Sequence, residues 1–403
     1  MTHDTTELLI IFAVSGLVLL NALSYYSAKL HAFPDIIWVL LLGVVYAVFS
    51  TFFDWGLPTL SLSPDIVLYI FVPLLIFAST QKMCLKHFQR VLAPASLIAS
   101  LGIMISMSVI AFPLYAWFDF SWQEALLFGA IVSATDPLAV GALLHHNTAV
   151  SEPQKLLIEG ESILNDGVVV TLAGVLAATL FMGHTFEWIR SSLDFIAHIA
   201  GALILGVLIG RAARWLLDIW HEEHFTLTVN MTLAVAYGSF FLGEYLGLSG
   251  ILAVFAAALA YGYKPNMRDH NKDIHDHLWE YFEYIANAIL FFLLGASLFV
   301  YFSWAQIGVV MLCVILLSLL LSRLLALTLL YPILRLEARP LSSDAFWLLN
   351  FSGARGAVSI ALILLLPDDF MLKPAFLSMA FIMIFTSLIV YPLVIKRLLV
   401  RAA

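Results

Sequence analysis

Charge is what this sequence has least of. Of its 403 residues only 11% are Asp, Glu, Lys or Arg, while 62% are hydrophobic and the mean hydropathy is +0.99. Soluble domains carry about a quarter charged residues, so an ordinary soluble enzyme is excluded. Basic residues are the scarcer sign: 19 Lys and Arg against 27 Asp and Glu leave a net charge of -8. No basic patch exists to hold a polyanion, which excludes nucleic acid as a partner. Cysteine is nearly absent. Cys84 and Cys313 lie far apart and offer neither a disulfide framework nor a soft-metal site. The ten-residue alternation of a membrane barrel is missing. So are the basic lead-in and cleavage site of a removed signal peptide, and the first apolar stretch reads as a retained span.

Long apolar runs are what the chain has in abundance. Polar punctuation divides it into thirteen, near 7–28, 34–50, 64–80, 91–117, 124–144, 156–182, 193–217, 225–243, 248–262, 281–302, 305–334, 344–366 and 374–399. A membrane span needs about 20 apolar residues, so the expected fold is an all-α polytopic membrane protein of about thirteen transmembrane helices.

Alternate loops then sort by charge. One side collects Lys29, Lys82, Lys86, Arg90, Lys155, Arg211, Arg214, Lys264, Arg268, Lys272, Arg335, Arg339, Lys396, Arg397 and Arg401. The other side has Arg190 and Lys373 beside Asp54, Asp65, Asp119, Glu124, Glu187, Asp368 and Asp369. The positive-inside rule makes the first side cytoplasmic, with the N-terminus outside and the C-terminus inside. Arg323, placed well into the eleventh segment, is expected to snorkel to the cytoplasmic interface.

An ionisable side chain inside a span costs at least a few kcal/mol and by default marks a pathway or a binding site. Three clusters qualify. Ser133-Ala134-Thr135-Asp136-Pro137 interrupts the fifth segment. Pro137 cannot donate to the helix ladder and disfavours helical geometry at Asp136, so upstream carbonyls are freed where the carboxylate sits. Glu159-Gly160-Glu161-Ser162-Ile163-Leu164-Asn165-Asp166-Gly167 opens the sixth segment. Ser162 lies three residues from Asn165 and four from Asp166, placing hydroxyl, amide and carboxylate on one helical face. Hard oxygen ligands of this kind suit a monovalent cation. Ser352-Gly353-Ala354-Arg355-Gly356-Ala357 interrupts the twelfth segment, and its arginine needs an anion, for which Glu161 is the best candidate.

The fifth and twelfth segments hold equivalent places in the first and last six. Polar, helix-breaking interruptions at corresponding positions are the sequence sign of an inverted-repeat secondary transporter. Residues 1–182 and 225–403 then form two repeats within one transmembrane domain, joined by a linker helix at 193–217. Asp136 and Asp166 also invite comparison with an intramembrane aspartyl protease, but neither lies in a Gly-x-Gly-Asp segment. The reading is a transporter, not an enzyme, with no cofactor.

Ala134-Thr135-Asp136-Pro137, Glu161-Ser162-Ile163-Leu164-Asn165-Asp166-Gly167, Gly353-Ala354-Arg355-Gly356-Ala357 and Asn287-Ala288-Ile289-Leu290-Phe291-Phe292-Leu293-Leu294-Gly295 occur in the order found in a known family. Over nearly its whole length the chain resembles the bacterial NhaP-like sodium/proton antiporters, a branch of the monovalent cation/proton antiporters. The resemblance implies a thirteen-helix antiporter fold in the inner membrane, a homodimer, and a core domain moving against a dimerisation domain. It implies that Asp166 binds cation and proton in turn, with Asp136, Thr135 and Ser162 completing the cation site. Asn165 stands where an electrogenic relative carries a second aspartate, which implies exchange of one cation for one proton. It also implies a structural ion pair between Glu161 and Arg355. Na+ is the expected cation, with K+ or Li+ as alternatives, and pH homeostasis the expected role.

The chain departs from that family in two places. The third helix of the family usually carries a glutamate shortly after a proline, facing the ion. Here the stretch Phe71-Val72-Pro73-Leu74-Leu75-Ile76-Phe77-Ala78-Ser79-Thr80 holds no acid, and Ser79 or Thr80 are the neutral oxygens at hand. Weaker cation binding, a K+ preference, or a transport-impaired sensor or channel-like relative are the alternatives this opens. The second departure is the short sequence after Arg401, which reads as the lack of a cytoplasmic regulatory domain. His145, His146, His221, His224, His270, His275 and His277 read as solvated residues of cytoplasmic loops, able to titrate near neutrality. Trp38, Trp55, Trp117, Trp122 and Trp304 read as interfacial belt residues, and Gly201, Gly206 and Gly210 as sites of close helix packing.

Overall fold

The computed structural model describes residues 34–53, 57–83, 85–136, 138–145, 150–181, 188–220, 225–262, 269–335 and 343–402. The first expected span, 7–28, lies outside them, as do Pro137, Cys84, His146, His221, His224 and Trp55. Among the described residues the structure is helical, and its sole extended pairing is an isolated antiparallel bridge between Asp136 and Ala354.

In chain order the helices are α1 (Asp35–Phe52), α2 (Pro64–Gln81), α3 (Leu92–Trp117), α4 (Trp122–Ile131), α5 (Leu138–His145), α6 (Glu152–Phe181) and α7 (Trp188–Trp220). Then come α8 (Phe225–Tyr245), α9 (Gly250–Tyr261), α10 (Asp269–Ala296), α11 (Val309–Arg335), α12 (Ser343–Phe351), α13 (Ala357–Leu364) and α14 (Lys373–Ala402). Nine of these are long and apolar enough to cross a membrane. With no water in the hydrocarbon, every backbone group must be satisfied internally, which the continuous helices achieve. Large apolar side chains remain exposed along their outer faces, such as Ile204, Leu208 and Trp215 on α7, where a lipid phase is the compatible solvent. Trp117, Trp122 and Trp304, at helix ends, are exposed as well.

The two expected interruptions are real breaks. The fifth apolar segment is the pair α4 and α5, and the twelfth is the pair α12 and α13. The start of α4 is set by a capping box: Ser121 Oγ accepts from Glu124 N at 3.3 Å, and Glu124 Oε2 accepts from Ser121 N at 2.8 Å. Such a box satisfies two orphan donors of a helix start. At the broken ends both half-helices finish in the same way. Ser133 Oγ donates back to Gly129 O and Ser352 Oγ to Leu348 O, each at 2.6 Å. A hydroxyl taking the carbonyl four residues back competes with the helix ladder and favours termination.

Helix α7 packs closely along α9. A Cβ on Gly206 would stand 2.2 Å from Ala253 O, and one on Gly210 2.3 Å from Ala257 O. No side chain fits at either position, so these glycines permit the close approach expected of them.

Two expectations fail in the second half. Helix α10 begins at Asp269, twelve residues before the apolar segment that predicts it. Its first three turns are polar, so hydropathy detects only the apolar remainder. His275 and His277 are therefore helical, His275 buried and His277 exposed. Helix α11 begins at Val309, because Trp304–Gln306 form a separate short turn. Four residues at about 1.5 Å each carry Arg323 about 6 Å deeper than a start at 305 implies. It is 5% exposed and does not snorkel.

Candidate functional site

The two unwound stretches, 132–136 and 352–356, cross one another. Asp136 N donates to Ala354 O at 2.7 Å, the backbone bond that fixes the crossing. Gly356 lets it form: a Cβ there would come within 2.7 Å of both Cβ and Oδ2 of Asp136. Helix α6 passes beside the crossing with Glu161, Ser162, Asn165 and Asp166.

Hydrogen bonds link most polar groups of the crossing, while Asn165 Oδ1 and Arg355 Nε are buried without a partner among the described residues. Thr135 Oγ1 lies 3.1 Å from Ser162 Oγ, and Asn165 Nδ2 donates to Thr135 Oγ1 at 3.0 Å and to Glu161 Oε1 at 3.2 Å. Thr135, Glu161, Ser162 and Asn165 are each 1% exposed. Ser359 Oγ donates to Ile131 O at 2.9 Å, tying α13 to the end of α4.

The charge pairing differs from the sequence expectation. Glu161 is bonded by Arg323 and not by Arg355: Nη1 reaches Oε1 at 2.7 Å and Nη2 reaches Oε2 at 2.9 Å, a bidentate fork. Arg323 donates further to Leu349 O, at 3.4 Å from Nε and 3.2 Å from Nη2. Arg355 serves the broken helix instead. Its Nη1 donates to Ser133 O at 2.7 Å and Ala134 O at 3.3 Å, and its Nη2 to Ser322 Oγ at 3.3 Å, while its backbone N donates to Ser387 Oγ at 2.9 Å. Unwinding frees exactly the kind of acceptor that a guanidinium satisfies: carbonyls at the negative end of a half-helix dipole. The anion that Arg355 needs is thus backbone partial charge.

A cavity of about 70 Å³ opens at the crossing. Thr135, Asp136, Ser162 and Asp166 line it together, with Gly356 and Ala357 from the other broken helix and Leu75, Ile76 and Ser79 from α2. Four of the five residues expected to bind the ion therefore share one space. Asn165 is the fifth, and its amide bridges Thr135 to Glu161 outside the lining. Of the neutral oxygens on α2, Ser79 lines the cavity, whereas Thr80 is fully buried away from it. The volume compares with about 30 Å³ per molecule in liquid water, room for a small ion with one or two waters. Two carboxylates and two hydroxyls form a hard oxygen set suited to a monovalent cation or a proton.

Missed by sequence reasoning were Arg323 and its tie to Glu161. The available signal was depth: a start at Val309 puts the guanidinium about 21 Å along its helix, near mid-membrane.

The sequence and the fold both have counterparts among known proteins. The sodium/hydrogen exchanger transmembrane family profile matches residues 13–401. The antiporter NhaP of Pseudomonas aeruginosa is 27% identical, with 96% of this chain and 95% of that protein aligned. ApNhaP of Aphanothece halophytica is 30% identical over 91% of this chain and 68% of its own length. Sodium/hydrogen exchanger 8 of Arabidopsis thaliana is 33% identical over 75% of this chain, which spans 41% of that longer protein; exchanger 7 of the same plant is spanned to 27%. In three dimensions the chain is similar to the sodium proton antiporter MjNhaP1 of Methanocaldococcus jannaschii, with a TM-score of 0.75 and 19% identity over 98% of this chain and 99% of the other, a shared fold. On the match across nearly its full length, this multi-pass membrane chain belongs to the sodium/hydrogen exchanger family.

Proposed function

We propose that the chain exchanges Na+ for H+ across the inner membrane, one cation against one proton, by alternating access of the cavity at the helix crossing. The observation that carries this is the joint lining of that cavity by Asp136, Asp166, Ser162 and Thr135. A buried carboxylate is favoured in its neutral form by desolvation and in its charged form by a bound cation. Proton and cation then compete for one negative charge, and either occupant leaves the cavity neutral enough to move through the bilayer. No further coupling device is required.

In this reading Asp166 is the exchanging carboxylate, and Asp136, Thr135 and Ser162 complete the cation shell. The Arg323–Glu161 pair and Arg355 hold the crossing without touching cargo. The N-terminus is outside and the C-terminus cytoplasmic. The moving part lies within two repeats, 1–182 and 225–403, linked by the helix at 193–217, and the protein works as a homodimer. Exchange rather than a transport-impaired role is supported by relatives aligned over nearly their full length that carry the name Na+/H+ antiporter.

Everted vesicles energised with a pH gradient and read with a pH-sensitive dye test the proposal. Addition of Na+ should collapse the gradient, and the apparent KM for Na+ should rise as proton concentration rises. Absence of any collapse with Na+, K+ and Li+ at every pH would sink it, and K+ without Na+ would replace the cation.

A further inference from the structure

Helix α2 brings no carboxylate to the cavity, yet one on the neighbouring helix stands a single hydroxyl away from it. Glu283, on α10, accepts a hydrogen bond from Ser79 Oγ through Oε1 at 3.3 Å. Ser79 is itself part of the cavity lining with Asp136 and Asp166. The second oxygen of Glu283, Oε2, holds Lys82 Nζ at 2.9 Å. One oxygen of this carboxylate thus accepts from a hydroxyl that lines the cavity, and the other holds an ammonium.

Its place on α10 fits an approach to the cavity. Glu283, Asn287 and Leu290 follow one another at spacings of four and three, one face of a helix. Leu290 lines the cavity, about 10 Å of helix rise beyond Glu283. Between them Asn287 is 5% exposed, and its Oδ1 has no hydrogen-bond partner among the described residues. The Lys82 side chain is 43% exposed and that of Glu283 17%. The ammonium end of the pair is open to solvent, where ion pairs are weak, so a cation from solution can displace it.

We propose that Glu283 is the cytoplasmic capture carboxylate of the cation path, taking an alkali cation in exchange for Lys82 and passing it by way of Ser79 into the cavity of Asp136 and Asp166. The charge absent from α2 is supplied from α10, at the mouth instead of at the site. Capture is an outer-sphere contact with a hydrated ion, and Lys82 is its built-in competitor. The inference rests on the antiport reading above.

The test measures Na+-dependent exchange by the full chain in everted vesicles, where added Na+ meets the cytoplasmic face. A carboxylate beside the cavity, acting through partly aqueous surroundings, changes the local cation concentration about two- to fivefold. Glu283→Gln should raise the apparent KM for Na+ by that factor with the maximal rate kept, and Glu283→Asp should restore it. Choline chloride at high concentration should erase the difference by screening. Lys82→Gln should lower the KM in the native background and leave it unchanged in the Glu283→Gln background. An unchanged KM in Glu283→Gln, with wild-type exchange intact, overturns the capture role. An equal rise when Na+ is offered from the outer face, in right-side-out vesicles, overturns it too, since that is a structural effect on the site. A Lys82→Gln shift of the same size in both backgrounds likewise overturns it. Failure of the wild-type chain to exchange any cation is the separate result that removes the antiport reading itself.

Discussion

Glu161 offers the sharpest test of the charge arrangement, because two arginines compete for the role of its partner. Its carboxylate is 1% exposed and receives two short bonds from Arg323 at 2.7 and 2.9 Å and one from Asn165 at 3.2 Å. Arg323→Met removes the guanidinium while keeping most of the volume. What remains is a buried carboxylate with a single amide donor. Breaking one side of a buried pair costs about 3–5 kcal/mol, mainly because the other charge stays desolvated. Arg355→Met strips donors from Ser133 O and Ala134 O instead, at about 1–3 kcal/mol for each orphaned acceptor. Both single variants therefore lose stability, and stability alone does not separate them. A second substitution does. Glu161→Gln removes the orphaned charge, so it should recover at least about 2 kcal/mol of the loss in Arg323→Met, a coupling typical of residues in direct contact. In Arg355→Met the same change should recover nothing, since the carbonyls stay unpaired. The assay is thermal unfolding of detergent-solubilised protein, followed by the monodisperse fraction remaining on size exclusion after heating. Rescue of Arg355→Met but not of Arg323→Met would refute the pairing described here.

Three further outcomes follow from the same geometry. Asp166→Asn should abolish Na+/H+ exchange with little loss of thermal stability, since a neutral isostere still fits the cavity; retained exchange in vesicles would show that another carboxylate carries the proton. Gly356→Ala should lower the exchange rate by about tenfold or more, because its methyl would stand 2.7 Å from the Asp136 carboxylate and overpacking costs about 1–3 kcal/mol; an unchanged rate would mean that the crossing has slack. Asn165→Asp should lower the melting temperature by several degrees and leave exchange electroneutral, because it puts a carboxylate 3.2 Å from Glu161 and removes the amide donor to Thr135; a membrane-potential dye responding to Na+ in this variant would contradict that.

The legible parts of this molecule were those where composition and chemistry coincide. Asp136, Ser162 and Asp166 stand out in apolar runs, and no helix needs them for packing, so the sequence names them and the fold brings them to one cavity. The two breaks were legible because Asp-Pro and Gly-Ala-Arg-Gly each defeat a helix locally. Arg323 was not, since a lone basic residue in a long apolar run reads as a snorkelling side chain unless the start of the helix is known to within a turn. That start depends on Trp304–Gln306 turning as a separate unit, an irregularity hydropathy averages away. Glu283 was hidden differently. It lies where the apolar part of α10 begins, a place where charge is ordinary. Only the packing of α10 against α2 shows that its oxygen reaches Ser79.

These placements separate the buried charges into two kinds with different consequences for transport. The hydrogen bonds of Arg323 go to Glu161 and Leu349 O, and those of Arg355 go to the freed carbonyls of the fifth segment and to Ser322. Both guanidiniums are held on partners contributed by other helices, so they join α11, α6, α12 and α4 into one unit. A unit tied in this way resists internal rearrangement, because moving either arginine exposes an unsatisfied group inside the membrane. Alternating access is then most economical as a rigid-body shift that leaves every one of these bonds intact. Asp136 and Asp166 line the cavity together, where an ion or a proton can adjust the charge. Under the proposed antiport mechanism the arginines serve rigidity and the cavity carboxylates serve cargo, which is the division of labour that one-site competition between Na+ and H+ requires.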